Sequence, residues 1–170
     1  MGTLFFWRAD ESEGGYLSQW TPSTFTDGRH AFVNAEQYMM YRKAILFVGD
    51  DDNHEVVAAI LREQDPANLQ KLGRRVPDFE QALWDRRKYD IVVDGNMLRF
   101  GKNPELRQRL IDTGKRELVE ASPRDRIWGI GYGAAAAMKV GRSRWGQNLL
   151  GKALMEVRRA LAEEVRDDDK

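Results

Sequence analysis

Apolar residues follow two rhythms along the chain: short dense runs near the N-terminus, and helical spacing over most of the remaining length. Leu4-Phe5-Phe6-Trp7 reads as a short strand and Tyr16-Leu17-Ser18-Gln19-Trp20 as a second, separated by the polar turn Asp10 to Gly15. Pro22, Asp27 and Gly28 punctuate a loop, after which His30-Ala31-Phe32-Val33 leads into a helix capped by Asn34 and ending near Val48-Gly49. The polar run Asp50-Asp51-Asp52-Asn53 then opens a helix from His54 to Glu63. Asp65-Pro66, a capping residue followed by proline, starts a short helix to about Gly73.

From Pro77 to Phe100 the pattern predicts one long helix. Phe79, Ala82, Leu83, Tyr89, Val93, Met97 and Phe100 lie on one broad face and Trp84, Ile91 and Leu98 on another, with Gly95 a candidate break. Pro104 begins another helix that ends at Thr113-Gly114, and Glu117-Leu118-Val119-Glu120-Ala121 alternates like a strand. A last helix, about Gln147 to Val165, carries Leu150, Leu154, Val157 and Leu161 at helical spacing, before a charged tail over 166–170. The fold class expected is α+β, mainly helical, a single compact domain over 1–165 with a small β component near the N-terminus.

Composition narrows the function classes. The 170 residues are 42% hydrophobic and 32% charged, and 27 Lys+Arg balance 27 Asp+Glu, so no global field draws the chain to nucleic acid or membrane. The absence of cysteine excludes a disulfide framework and thiolate chemistry. Met1 leads into an aromatic run rather than a charged end with a long apolar segment, so a cytoplasmic protein is expected.

Candidate chemistry concentrates in Asn34-Ala35-Glu36-Gln37-Tyr38-Met39-Met40-Tyr41-Arg42-Lys43. At about 3.6 residues per turn, Glu36, Met40 and Lys43 share one helix face. Two readings compete. A Glu and a Lys on one face are usually a solvated pair contributing a few tenths of a kcal/mol. Among Tyr38, Met39, Met40 and Tyr41, however, the pair is half-buried, where a Lys can lose its proton and a Glu can serve as an acid near neutral pH.

The second candidate is Asp125-Arg126-Ile127-Trp128-Gly129-Ile130-Gly131-Tyr132-Gly133, ahead of an Ala-rich run. Its alternate glycines permit a close backbone approach to a ligand or simply a turn, and they are not a dinucleotide fingerprint. Asp125 beside Trp128 suits a sugar or base: a carboxylate for hydroxyls or positive charge, a flat ring for stacking. His30 and His54 have no cysteine partners for a zinc site, and no Gly-x-Ser-x-Gly elbow is present. Arg74-Arg75 and Arg86-Arg87-Lys88 read first as solvated helix faces, and Trp7 and Trp84 as core aromatics.

An ordered series of segments resembles the NADAR or YbiA-like family over nearly the whole chain. It comprises Ser18-Gln19-Trp20, Ala35-Glu36-Gln37-Tyr38 with Lys43, Trp84, Arg99-Phe100, Leu110 to Gly114, Leu118 to Ser122, Asp125 with Trp128-Gly129-Ile130-Gly131, and Asn148-Leu149-Leu150-Gly151 with Leu154-Met155. Gln19 stands where that family commonly has Asn, Gln37 where His is common, and Arg99 where Lys is common. Lys115 follows Thr113-Gly114 where an acidic residue is frequent.

The resemblance implies a YbiA-like, mostly helical α+β domain that cleaves N-glycosidic bonds to ribose without metal or cofactor. Some relatives in that family hydrolyse phosphorylated ribosylamino-pyrimidine intermediates of riboflavin synthesis, and others remove ADP-ribose from modified guanine bases, so the partner expected is a small ribosyl phosphate or an ADP-ribosylated nucleobase, free or in DNA or RNA. Glu36, Lys43 and Asp125 are then the expected catalytic residues. Ser18, Gln19, Trp20, Tyr38, Trp84, Trp128, Gly129, Gly131 and Asn148 are the expected substrate-binding set. Glu36 would act as acid and base, and Lys43 as Schiff-base nucleophile or phosphate binder. Asp125 would hold ribose hydroxyls or a cationic intermediate. The alternative is a module that binds ADP-ribose or a nucleotide without cleaving it. Neither a membrane nor a protein partner is inferred.

Overall fold

Backbone hydrogen-bonding capacity decides where each apolar run becomes a helix, a strand or a turn. The computed structural model of the protein describes residues Gly2–Asp168. In chain order its elements are β1 (Thr3–Phe6), β2 (Phe25–Thr26), β3 (Ala31–Phe32), α1 (Ala35–Val48), α2 (Glu55–Arg62), α3 (Pro66–Arg74), α4 (Gln81–Gly101), α5 (Pro104–Asp112), β4 (Glu117–Glu120), α6 (Ala134–Ala137) and α7 (Leu149–Asp168). The chain is mainly helical α+β, as its pattern predicts. Its contacts gather into two units, Met1–Thr21 with Phe100–Lys170, and Pro22–Arg99, where a single domain over 1–165 is expected from the sequence.

In the first unit β1 pairs in parallel with β4, Thr3 opposite Glu117 and Phe6 opposite Glu120. Leu4, Phe6, Leu118 and Val119 are buried on this ribbon. α7 packs on β4 and α5 through Leu150, Ala153, Leu154, Val157 and Leu161, the stripe its helical spacing predicts. Asn148, at φ 52°, braces this junction: its Oδ1 accepts from Glu120 N and its Nδ2 donates to the Leu118 carbonyl, both at 2.9 Å. The first turn of α7 then meets β4 so closely that a Cβ on Gly151 would lie 2.1 Å from the Leu118 oxygen.

Two predictions fail here. Tyr16–Trp20 is not a strand. Leu17 N and Ser18 N bond back to the carbonyls of Gly14 and Gly15, both at 3.0 Å, so this backbone is satisfied locally as a 3-10 turn over Gly15–Leu17. Nor does the last helix stop at about Val165, because α7 continues to Asp168. The rest of the expected tail, residues 169–170, lies outside the described residues.

In the second unit β2 and β3 form a two-residue antiparallel hairpin, Phe25 opposite Phe32, inside what the sequence pattern treats as a loop and a lead-in. Strands this short leave no period to read. α1, α2 and α3 pack against one another and end close to where their caps predict. Asn34 Oδ1 accepts from Gln37 N, Gly49 closes α1, and Asp65 Oδ1 accepts from Asn68 N.

α4 departs most from expectation. It begins at Gln81, not Pro77, because Asp78 takes a left-handed conformation, φ 57°. Phe79 and Ala82, expected on its inward face, are exposed. Phe100 of that face is fully buried, Trp84 and Ile91 of the other expected face are buried as well, and Lys88, Val92, Asn96 and Arg99 join them. The polar members are bonded: Lys88 Nζ to Asp85 at 2.7 Å, Asn96 Nδ2 to the Val92 carbonyl at 2.9 Å, and Arg99 Nε to Ser23 Oγ at 2.9 Å. Gly95 does not break the helix. It makes room for the Tyr38 ring, whose Cδ1 would lie 2.6 Å from a Cβ there. Among the described residues, no helix is long and apolar enough to cross a membrane.

The Gly151 contact yields a direct test. Gly151→Ala forces α7 off β4 and is expected to lower stability by about 3 kcal/mol, whereas Gly133→Ala, with nothing within 4 Å of its Cβ, stays within about 0.5 kcal/mol. Urea unfolding midpoints of the two variants check both.

Candidate functional site

The first turn of α1 is pinned before it presents any chemistry. Gln37 is 2% exposed; its Oε1 accepts from Val33 N at 2.9 Å, and its Nε2 lies 3.1, 3.2 and 3.0 Å from the carbonyls of Ile60, Leu61 and Glu63 at the end of α2. Asn34 Nδ2 donates to the Gln64 carbonyl at 3.0 Å. With Asn34 and Gln37 so committed, every residue from Ala35 to Tyr41 is buried, Glu36 among them at 7% exposure.

Lys43 lies two turns further along α1 and is partly buried. Its Nζ stands 4.7 Å from the centroid of the Phe79 ring and 5.4 Å from that of Trp84. Among the described residues it forms neither an ion pair nor a hydrogen bond. Burial lowers its pKa below the ordinary 10.5; the Glu36 carboxylate opposes that shift and the Arg74 guanidinium adds to it. The arrangement places a buried carboxyl and an amine of reduced basicity on one helix, with aromatic faces around the amine. Such a pair can donate a proton and supply a nucleophile.

Of the expected binding residues, Trp84 joins this cluster directly. Tyr38 is buried in the core of the same unit, its ring 5.1 Å from Phe32 and 6.0 Å from Phe25, with its hydroxyl accepting from Arg42. Burial raises its pKa, with Arg42 opposing.

The remaining expected residues belong to the first unit. Ser18 Oγ accepts from Trp20 N at 3.2 Å, a local turn that leaves Gln19 partly buried and Trp20 39% exposed. Asp125 Oδ1 accepts from Ile127 N at 2.8 Å and Trp128 N at 2.9 Å, so one of its oxygens shapes the loop. That loop is stitched to residues 146–150 by backbone bonds, among them Asn148 N to the Gly129 carbonyl at 3.1 Å and Leu150 N to the Trp128 carbonyl at 3.1 Å. Gly129 faces the Glu120 carbonyl where a Cβ would lie at 2.8 Å, and Gly131 has φ +76°. Trp128 is partly buried. Asn148 spends both ends of its amide on β4 and acts as a brace.

Phe79 and Arg74 are the two neighbours of Lys43 that sequence reasoning missed. The Pro77-Asp78 pair was a usable signal, since Asp tolerates a left-handed turn after proline and would leave Phe79 outside the helix.

Comparison with known proteins completes the picture. The NADAR domain family model matches residues 5–162. "N-glycosidase R617" of Acanthamoeba polyphaga mimivirus is 42% identical over 91% of this chain and 94% of its own length. "Riboflavin biosynthesis protein VVA0006" of Vibrio vulnificus (strain YJ016) is 28% identical over 94% of this chain, which spans 39% of that protein. The NMR structure of the E. coli protein YbiA has the same fold, with a TM-score of 0.76 at 24% identity over 96% of this chain and 86% of that one. With a match running from β1 into α7 and a near full-length relative sharing two residues in five, the chain belongs to the NADAR domain family.

Proposed function

We propose that this protein is an N-glycosidase that hydrolyses the bond between the ribose anomeric carbon and a ring or exocyclic nitrogen of a heterocycle. Its substrate is ADP-ribose carried on a guanine base, or a phosphorylated ribosylamino-pyrimidine. The mimivirus relative is named an N-glycosidase, which supports the reaction class, and the Vibrio relative a riboflavin biosynthesis protein, which fits the second substrate type. The observation that carries the reading is the buried Glu36 carboxyl on the same helix as Lys43, whose amine lies against aromatic faces and forms no ion pair among the described residues. Ligand binding alone needs no such pair.

In the proposed reaction the neutral Lys43 amine attacks the anomeric carbon. The carbon–nitrogen bond breaks, its electron pair leaves on the heterocycle nitrogen, and that nitrogen takes the Glu36 proton. The lysine nitrogen then forms a double bond to that carbon as the carbon–ring-oxygen bond breaks, and the proton the nitrogen sheds passes to the ring oxygen, which becomes a hydroxyl; the product is a protonated Schiff base between Lys43 and the open sugar. Water then adds to the imine carbon, with the Glu36 carboxylate accepting its proton as general base. Breaking the carbon–Nζ bond frees the sugar as an aldehyde and restores the amine.

Two measurements test this. Glu36→Gln is expected to lower kcat by about 10²–10⁴-fold while substrate still binds, read by mass spectrometry of small products. An ADP-ribosylated guanine oligonucleotide and a ribosylamino-pyrimidine phosphate are run in parallel. Release of ADP-ribose by wild type identifies the first substrate, and release of ribose 5-phosphate the second.

Borohydride added during turnover is expected to trap a sugar adduct on Lys43 in wild type and none in Lys43→Arg. Lys43 is reactive above its pKa, and that pKa lies below 10.5, so the adduct yield should rise with pH and level off before pH 10.5. Turnover without any adduct would replace the covalent route by direct attack of water activated by Glu36.

A further inference from the structure

The amine of Lys43 is not simply buried; it is covered by one particular residue on a turn. Pro77 and the left-handed Asp78 stop the chain from entering α4 and turn Phe79 back onto α1. There its ring lies 4.7 Å from Lys43 Nζ and 5.2 Å from the Phe47 ring, yet 42% of the residue is exposed. Trp84, on the first turn of α4, is 8% exposed and lies 5.4 Å from the same nitrogen. Trp84 is therefore a fixed wall, and Phe79 is the cover between the amine and solvent.

We propose that Phe79 is a positioning residue for Lys43: its ring shields the amine from water and holds it against Trp84, ready to attack a sugar carbon. This rests on the reading of Lys43 as the reactive amine. Its contact with Phe47 anchors the ring over α1 but leaves much of it in solvent, where a residue packed inward would bury more apolar surface.

Two opposing effects of the ring can be ranked. An aromatic face attracts the ammonium, which favours the charged form. Excluding water disfavours it, by several pKa units for a fully buried lysine and less for a partly buried one. Burial is the largest influence on Lys43, and the net shift is downward. Shielding therefore outweighs attraction, and Phe79 contributes through cover. The charged groups acting on the amine are Glu36 from its own helix and Arg74 from α3. Asp78 and Glu80 flank Phe79 on the turn, and Asp85 and Lys88 of α4 are paired with each other.

The readout is the pH dependence of Lys43 acetylation by trace acetic anhydride in the intact protein, followed by mass spectrometry. It reports the neutral fraction of the amine whether or not the amine performs chemistry. Phe79→Ala is expected to move the labelling midpoint of Lys43 upward by about one pH unit. Phe79→Leu, which keeps an apolar cover without an aromatic face, and Phe79→Tyr should remain near wild type. The kcat of Phe79→Ala should fall about tenfold at neutral pH and recover as pH rises, with KM little changed. A Phe79→Ala midpoint that coincides with wild type, or moves downward, overturns the inference. Failure of the parent reading shows separately, as the absence of a borohydride adduct on wild-type Lys43.

Discussion

Everything on α1 depends on one buried knot of side-chain amides. Asn34 satisfies a free N–H at the start of α1, and Gln37 takes up carbonyls at the end of α2 that have no helical partner. Each bond contributes about 1 kcal/mol net, but breaking the knot would leave buried polar groups unpaired at about 1–3 kcal/mol each. The knot also has a geometric effect. It fixes the rotation of α1 about its axis, and that rotation forces Glu36 inward as the neighbour of Gln37. A carboxyl that propensity would place in solvent is thus held in the interior by the residues on either side of it.

The same rotation aims Lys43 at the α3–α4 turn and the start of α4, where Phe79 and Trp84 receive it. The influences there oppose one another. One pKa unit corresponds to about 1.4 kcal/mol, the size of a single aromatic contact to an ammonium. Burial disfavours the charge while the ring faces and Glu36 favour it, and the net shift of the amine is downward. That downward shift is what a lysine nucleophile requires, and a fully solvated lysine lacks it.

Caps and turns were the most legible part of the chain, because a cap is a local event. Asn34, Gly49, Asp65 and Gly114 mark helix ends that the structure keeps. The inward face of α4 was not legible, because Lys88, Asn96 and Arg99 are buried only through partners distant in sequence or on the same helix, and a hydropathy period does not register partners. Asp125 and Asn148 show a related limit. The side chains that bind sugars well are those that bond to backbone, so residue type alone does not separate a ligand contact from a brace. Glu36 and Lys43 are not usual turn formers, and the structure sets both among aromatic and methionine neighbours on α1.

The spacing of that pair carries the last step. Glu and Lys placed three or four residues apart on a helix are neighbours and readily form an ion pair. Such a pair would hold the amine protonated and the carboxyl ionised, which are the wrong forms for an attacking nucleophile and a proton donor. Seven residues along an α-helix correspond to a rise of about 10.5 Å, and the long lysine stem shortens that separation without closing it. Lys43 accordingly forms no ion pair among the described residues, although Glu36 still acts on it through space. The two groups stay within electrostatic reach of each other without forming an ion pair with each other.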